Sequence, residues 1–263
     1  MTTLTDTHTA SPLRGFSTTY IRLDLRRVLR NRRAMIFTLA IPTLMYLMFG
    51  AASDYGSDSI GSADTAAYVM VHMAIYGAIL ATTTTAASVA LEQQAGWTRT
   101  LRMTPLTPLG YVTTKVVVAL AVAAMPLALL SVVGFATGAG APVGEWVGCM
   151  VLGWLGSGLF AAFGLAVGSA MRSDAATQVL GGMLTLLAFA GNLFVPLKGA
   201  MLTFSMFTPM FGVSTLAGYP MTHGETAYDE HIPLWVCVLN VAVWAVVFGF
   251  AAVHCYRRST VRQ

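Results

Sequence analysis

Apolar residues in this chain come in long blocks rather than in alternation. Stretches free of Asp, Glu, Lys and Arg run over 34–53, 65–91, 116–144, 146–171, 175–197, 199–224 and 231–256. Crossing about 30 Å of hydrocarbon takes roughly 20 helical residues, and every block reaches that length. Six of them read as continuous helices. The block 199–224 does not, because Gly199, Pro209, Gly212, Gly218 and Pro220 interrupt it. Each proline removes a backbone donor and clashes with the preceding turn. That segment is expected to form broken or re-entrant helices before the last span, tolerated only where protein or a watery cavity surrounds them.

Charge placement decides between six spans and seven. Arg14, Arg22, Arg26, Arg27, Arg30, Arg32 and Arg33 precede the first block, and Arg257, Arg258 and Arg262 follow the last. Cytoplasmic flanks are the ones enriched in Lys and Arg. Two basic ends on one side require an even number of spans, so six are expected, with both termini cytoplasmic. Residues 54–64 then form an outside loop with Asp54, Asp58 and Asp64, and 92–115 an inside loop with Arg99, Arg102 and Lys115. The 197–231 connection is external, with Lys198 against Glu225, Asp229 and Glu230. Of the 15 basic residues, all but Lys198 fall inside.

Composition agrees. Of 263 residues 56% are hydrophobic and 10% charged, with mean hydropathy +0.69, whereas soluble domains carry about 25% charged residues. The expectation is an all-α integral membrane protein. Residues 1–16 form a tail, 17–256 a single six-span domain and 257–263 a cytoplasmic tail. The first apolar run follows 33 polar, Arg-rich residues, far beyond a signal peptide's basic region. Cys149, Cys237 and Cys255 lie in apolar segments without zinc-site spacing and are expected to be packing residues.

Two connecting segments carry patterns of their own. In 17–33, Tyr20, Ile21, Leu25, Val28 and Leu29 share one helical side and Arg22, Arg26, Arg30 and Arg33 the other. That arrangement suits a helix in the membrane interface with arginines toward anionic lipid headgroups. Between the second and third spans, residues 92–108 supply Gly96, then Trp97 and Leu101 one turn apart beside Arg99 and Arg102, then Pro105. This small amphipathic plug suits docking onto a partner protein, and Trp97 equally suits an anchor at the membrane surface.

The order Glu92, Gly96, Leu101, Thr104, Pro105, Leu106 and Lys115 resembles the cytoplasmic loop of type-2 permeases of ATP-binding-cassette (ABC) exporters. The Gly-Trp-x-Arg-x-Leu-Arg-x-Thr-Pro run from Gly96 to Pro105 resembles the drug-exporter-like branch. Gln94 stands where many members carry a second acidic residue, so a two-carboxylate role is not carried over. The resemblance spans nearly the whole chain. It implies a multi-pass plasma-membrane subunit, bacterial, that pairs with a second permease copy or homologue and with cytoplasmic ABC ATPases. ATP and Mg would then bind those ATPases and no cofactor this chain, and antibiotic resistance would be a natural output. It further implies that Glu92, Gly96, Trp97, Arg99, Leu101, Arg102, Thr104 and Pro105 couple the permease to the ATPase, and that transport runs outward.

Other chemistry is thin. No Gly-x-x-x-x-Gly-Lys-Ser/Thr phosphate loop is present, so an ATPase would be a separate chain. Leu155-Gly156-Ser157-Gly158 invites comparison with rhomboid proteases, but Leu155 replaces their first glycine. Ser157 should also lie roughly 15 Å or more from His254, beyond hydrogen-bond reach. Gly153, Gly156, Ser157, Gly158 and Gly164 read instead as a small-residue packing face. A non-transporting scaffold is the remaining alternative class. His72 is expected to bond between helices, and Thr82–Thr85 to their own helix carbonyls. Nearly chargeless spans offer no counter-ion for a strongly charged solute. Tyr46, Met73, Tyr76, Phe189, Asn192 and Phe194 are the expected path lining, suited to a hydrophobic or amphipathic drug or lipid, with a glycan as the alternative. No nucleic-acid partner is expected.

Overall fold

The computed structural model describes residues 18–53, 56, 58–94, 108–171, 175–228 and 230–261. In chain order the elements are α1 (Thr18–Arg30), α2 (Arg32–Tyr46) continued by one π turn (Leu47–Ala51), β1 (Ser59–Ile60), β2 (Ala63–Asp64), α3 (Thr65–Ala87), α4 (Val89–Gln94), α5 (Pro108–Ala136), α6 (Val143–Met171), α7 (Ala175–Ala190), α8 (Gly199–Ser205), α9 (Pro209–Thr222) and α10 (Leu234–Val261). The protein is an all-α membrane protein. Among the described residues five helices are long and apolar enough to cross a bilayer, and α8 with α9 adds a pair bent by 100°.

The bundle is organised around α3. Its apolar window is 78% buried, against 22% in α10, because α2, α5, α6, α7 and α9 all pack against it. Close approach to α6 depends on glycine. A Cβ at Gly164 would overlap the Thr83 backbone, and one at Gly168 would come 2.7 Å from the Ala87 carbonyl. Gly153 faces Ile75 in the same way, while Gly156 meets Val213 of α9 and Gly158 is uncrowded. The expected packing face therefore holds, Gly158 excepted. The hydroxyls of Thr82, Thr83 and Thr84 donate to carbonyls of their own helix at 2.7–3.0 Å, leaving no polar ridge on α3.

Two boundaries differ from expectation. The fifth helix, anticipated over 175–197, stops at Ala190. At about 1.5 Å per residue its 16 residues reach roughly 24 Å, short of a full crossing. Asn192 adopts a left-handed backbone (φ 58°), and Pro196 follows, so the helix has no route onward. The loop after the third helix, expected over 139–145, runs over 137–142, between Ala136 and Val143.

The bent pair is re-entrant. Gly199 N–H donates to the Glu230 carboxylate at 3.0 Å, and at the far end of α9 the Met221 carbonyl accepts from Ser62 of the hairpin turn. Both open ends therefore lie at the β-hairpin end of the bundle, and the corner between Ser205 and Pro209 points inward. Thr208 caps α9 with its hydroxyl, and Pro209 opens it where no donor is needed. The corner's carbonyls are met by α10. Asn240 Nδ2 donates to Met206 O at 2.6 Å and to Thr208 O at 3.1 Å, and Trp244 Nε1 donates to Phe207 O at 3.2 Å. Asn240→Leu should therefore strand the Met206 carbonyl, at about 1–3 kcal/mol, the Thr208 carbonyl keeping the first intrahelical bond of α9. Thermal unfolding in detergent is the measurement, and an unchanged midpoint would refute this account of the corner.

Candidate functional site

The first site lies at the arginine-rich end and is built from three helices. Along α1, Tyr20, Ile21, Leu25 and Val28 are partly buried as the stripe requires, while Leu29, expected with them, is exposed, and Asp24 sits among them and is buried too. An aspartate on an apolar stripe needs a cation, and α5 supplies one. Lys115, 1% exposed, donates to Asp24 Oδ2 at 2.8 Å and to Glu92 Oε1 of α4 at 2.5 Å. Arg27 Nη1 reaches the same Glu92 oxygen at 2.7 Å, and Tyr111 O–H donates to Glu92 Oε2 at 2.5 Å. The Lys115 ammonium also lies 5.5 Å from the centre of the Tyr111 ring.

Two carboxylates and two cations make the cluster formally neutral. Neutrality matters, because each buried ion loses several kcal/mol of hydration that only close partners return. The arrangement also has a topological effect. Glu92 stands just before residues 95–107 and Tyr111 just after them, so the cluster holds both stems of that segment together and fastens them to α1. Glu92, expected to face a partner, instead turns inward. Gly96, Trp97, Arg99, Leu101, Arg102, Thr104 and Pro105 lie outside the described residues. Sequence reasoning passes over Asp24 and Arg27, although an isolated acid at Asp24, within an Arg-rich stretch and spaced i, i+4 with Tyr20 and Val28, is a readable signal.

The second site is a cavity of about 910 Å³ at the hairpin end. Met45 and Phe49 close one side, Tyr68, His72 and Met73 of α3 form the floor, and Phe189 and Phe194 face them. Of the expected path residues, Met73, Phe189 and Phe194 line it. Tyr46, Tyr76 and Asn192 do not. Tyr46 is fully buried with its hydroxyl 2.5 Å from Thr137 Oγ1, and Tyr76 bonds Thr185 at 3.0 Å. Asn192 Oδ1 accepts the Leu197 N–H at 2.6 Å, so its amide braces the turn after α7. His72 bonds the Tyr68 carbonyl of its own helix, not another helix. Ser157 donates to Trp154 O, and His254 stacks on Phe250.

The ABC-2 type transporter family model matches residues 18–210. The chain belongs to that family. The match begins at the first residue of α1 and takes in the whole charged cluster, α2 to α8 and most of the cavity wall. No curated protein matches the chain. As an ABC-2 protein it is a multi-pass membrane subunit of an ABC transporter, a family whose members associate with ABC ATPase subunits.

Removing one ion from the cluster should be costlier than removing a pair. Lys115→Met leaves two buried carboxylates with only half-exposed Arg27 and should cost about 3–5 kcal/mol. Adding Glu92→Gln should restore at least ~1 kcal/mol of that loss, a coupling that thermal unfolding in micelles measures through the double-mutant cycle. Strict additivity would show that the two side chains do not act as a unit.

Proposed function

We propose that this ABC-2 permease is an exporter subunit, paired with a second copy or a homologue and driven by two cytoplasmic ATPases that bind ATP and Mg. In this reading the arginine-rich end and both termini are cytoplasmic, in a bacterial plasma membrane, and the hairpin end faces outward. The observation that carries it is the buried charge cluster, which locks the stems of residues 95–107 to α1. An ATPase pushing on that segment would meet three helices moving as one block rather than a slack loop. Through α4 and the joint at Ser88, the push passes into α3. That helix runs to the cavity floor at His72 and Met73, roughly 24 Å from Ser88 at 1.5 Å per residue.

The substrate of this reading is hydrophobic or amphipathic, a drug or a lipid. Its support is the apolar, aromatic and methionine-bearing lining, since methionine adapts its shape to varied ligands. No residue of α8 or α9 lines the cavity; α9 approaches it through Gly218, which faces His72 of the lining. A glycan is the alternative, and the hydrogen-bonding side chains it would use there are Asp58, Ser59, Thr65, Tyr68, His72 and Tyr228.

The test joins the partner and the substrate. Trp97→Ala with Leu101→Ala should release the ATPase on co-purification, or leave it bound but no longer stimulated by substrate. Unchanged pull-down together with unchanged transport would overturn the docking role of this segment. In lipid nanodiscs, ATP hydrolysis by the wild-type complex should rise with hydrophobic drugs or lipids, and a rise with polyprenyl-linked glycans alone would reverse the substrate choice.

A further inference from the structure

The cavity wall has a sign. Among its lining residues one side chain carries a formal charge, Asp58, and no lysine or arginine lines it. Asp58 is exposed at the rim, whereas His72 and Met73 on the floor are buried. Its backbone carbonyl is used by Thr65, which donates both its N–H and its hydroxyl there, at 2.8 and 2.9 Å. Those bonds fix the position of the residue and leave the carboxylate available. Below the rim the wall offers Tyr68, Phe189 and Phe194, whose ring faces attract cations.

A second observation points the same way. In sequence, the connections before α3 and after α7 carry Asp54, Asp58, Asp64, Glu225, Asp229 and Glu230 against Lys198 alone. Excess carboxylate at one end of a protein raises the local concentration of cations there, and of these residues Asp58 lines the cavity. Lys198 does not line the cavity, though its ammonium lies 5.0 Å over the ring of the lining residue Tyr228; an anion inside would meet Asp58 at the rim, and an unpaired buried charge is costly.

We propose that this cavity binds amphipathic organic cations, with Asp58 as counter-ion at the rim and Met45, Met73, Phe189 and Phe194 around the apolar body. Binding itself does not depend on the export reading; only the outward release of the bound cation rests on it. Tetraphenylphosphonium and tetraphenylborate test the site directly, being nearly the same shape with opposite charge. The full chain in phosphatidylcholine nanodiscs should bind the phosphonium saturably, above its partition into empty discs, and the borate should show partition alone. Asp58→Asn should weaken phosphonium binding about tenfold, at an exposed position where folding is not at risk. Val195→Trp, which fills the cavity from an exposed loop position, should abolish binding, and unfolding temperature verifies that both variants are folded. Equal binding of the two ions, or no change with Asp58→Asn, would overturn the proposal.

Transport separates the two ideas. If binding behaves as stated but the Val195→Trp complex exports undiminished, the site stands and the export path lies elsewhere. If Val195→Trp stops export while ion sign and Asp58→Asn have no effect, the path stands and the charge preference falls.

Discussion

A lysine ammonium buried to 1% exposure at the edge of a membrane bundle is a demanding constraint, and much of this protein's arginine-rich end is arranged around it. Lys115 on α5 requires carboxylates within contact distance, and they come from elements remote in sequence, Asp24 of α1 and Glu92 of α4. Two carboxylates around one cation would leave excess negative charge, so Arg27 joins from the turn after Asp24. The result draws α1 against α5 across the bundle end. An amphipathic helix held by headgroup attraction alone could slide over the surface. This one is pinned by a pair of charges buried against its neighbours.

The opposite end obeys the same rule with amides and caps in place of ion pairs. Backbone that leaves the helical pattern near hydrocarbon must find partners inside the protein. Asn240 and Trp244 serve the corner of the re-entrant pair, and Asn192 serves the turn after α7. Asp64 serves two segments together, accepting the Ala67 N–H to cap α3 and the Gly140 N–H to hold the α5–α6 turn. Gly61 completes the hairpin with a positive φ of 62°, and a side chain there would collide with the Met221 carbonyl. Each of these polar residues has a backbone group to satisfy, which leaves Asp58 conspicuous as a carboxylate at the rim of an apolar cavity.

The range of each interaction explains why some of this is readable in the sequence and some is not. Span positions and the re-entrant segment are legible because block length and Gly/Pro punctuation are local properties. The α6 packing face is legible for a similar reason, since small residues at helical spacing signal close approach wherever they occur. Asn192 stands out as special, yet hydropathy assigns it to the path lining, because a left-handed turn after α7 leaves no mark on hydropathy. Asn240 goes unnoticed, its partners lying about 32–34 residues away on a corner the sequence does not draw. Glu92 and Lys115 stand out as residues matching a familiar loop, yet the contact of Lys115 with Asp24 spans 91 residues between α1 and α5 and belongs to the fold alone.

The two ends are joined by α3, and its contacts make that joint stiff. At Gly164 and Gly168 the α6 backbone meets the Thr83 and Ala87 backbone directly, and at Gly153 it meets the Ile75 side chain. Its threonines bond to their own helix, so no exchangeable hydrogen bonds cross that interface on their account. A displacement at Glu92 would therefore not be absorbed along α3 and would pass to α6 or to the cavity floor. At Ser88, between α3 and α4, the backbone stays helical (φ −57°, ψ −15°), and the Ser88 carbonyl accepts the Glu92 N–H at 3.2 Å, so the two helices run on beside the charge cluster. The stiffness of this line is set by where glycine and threonine fall on α3 and α6 and by the buried charge beside α4.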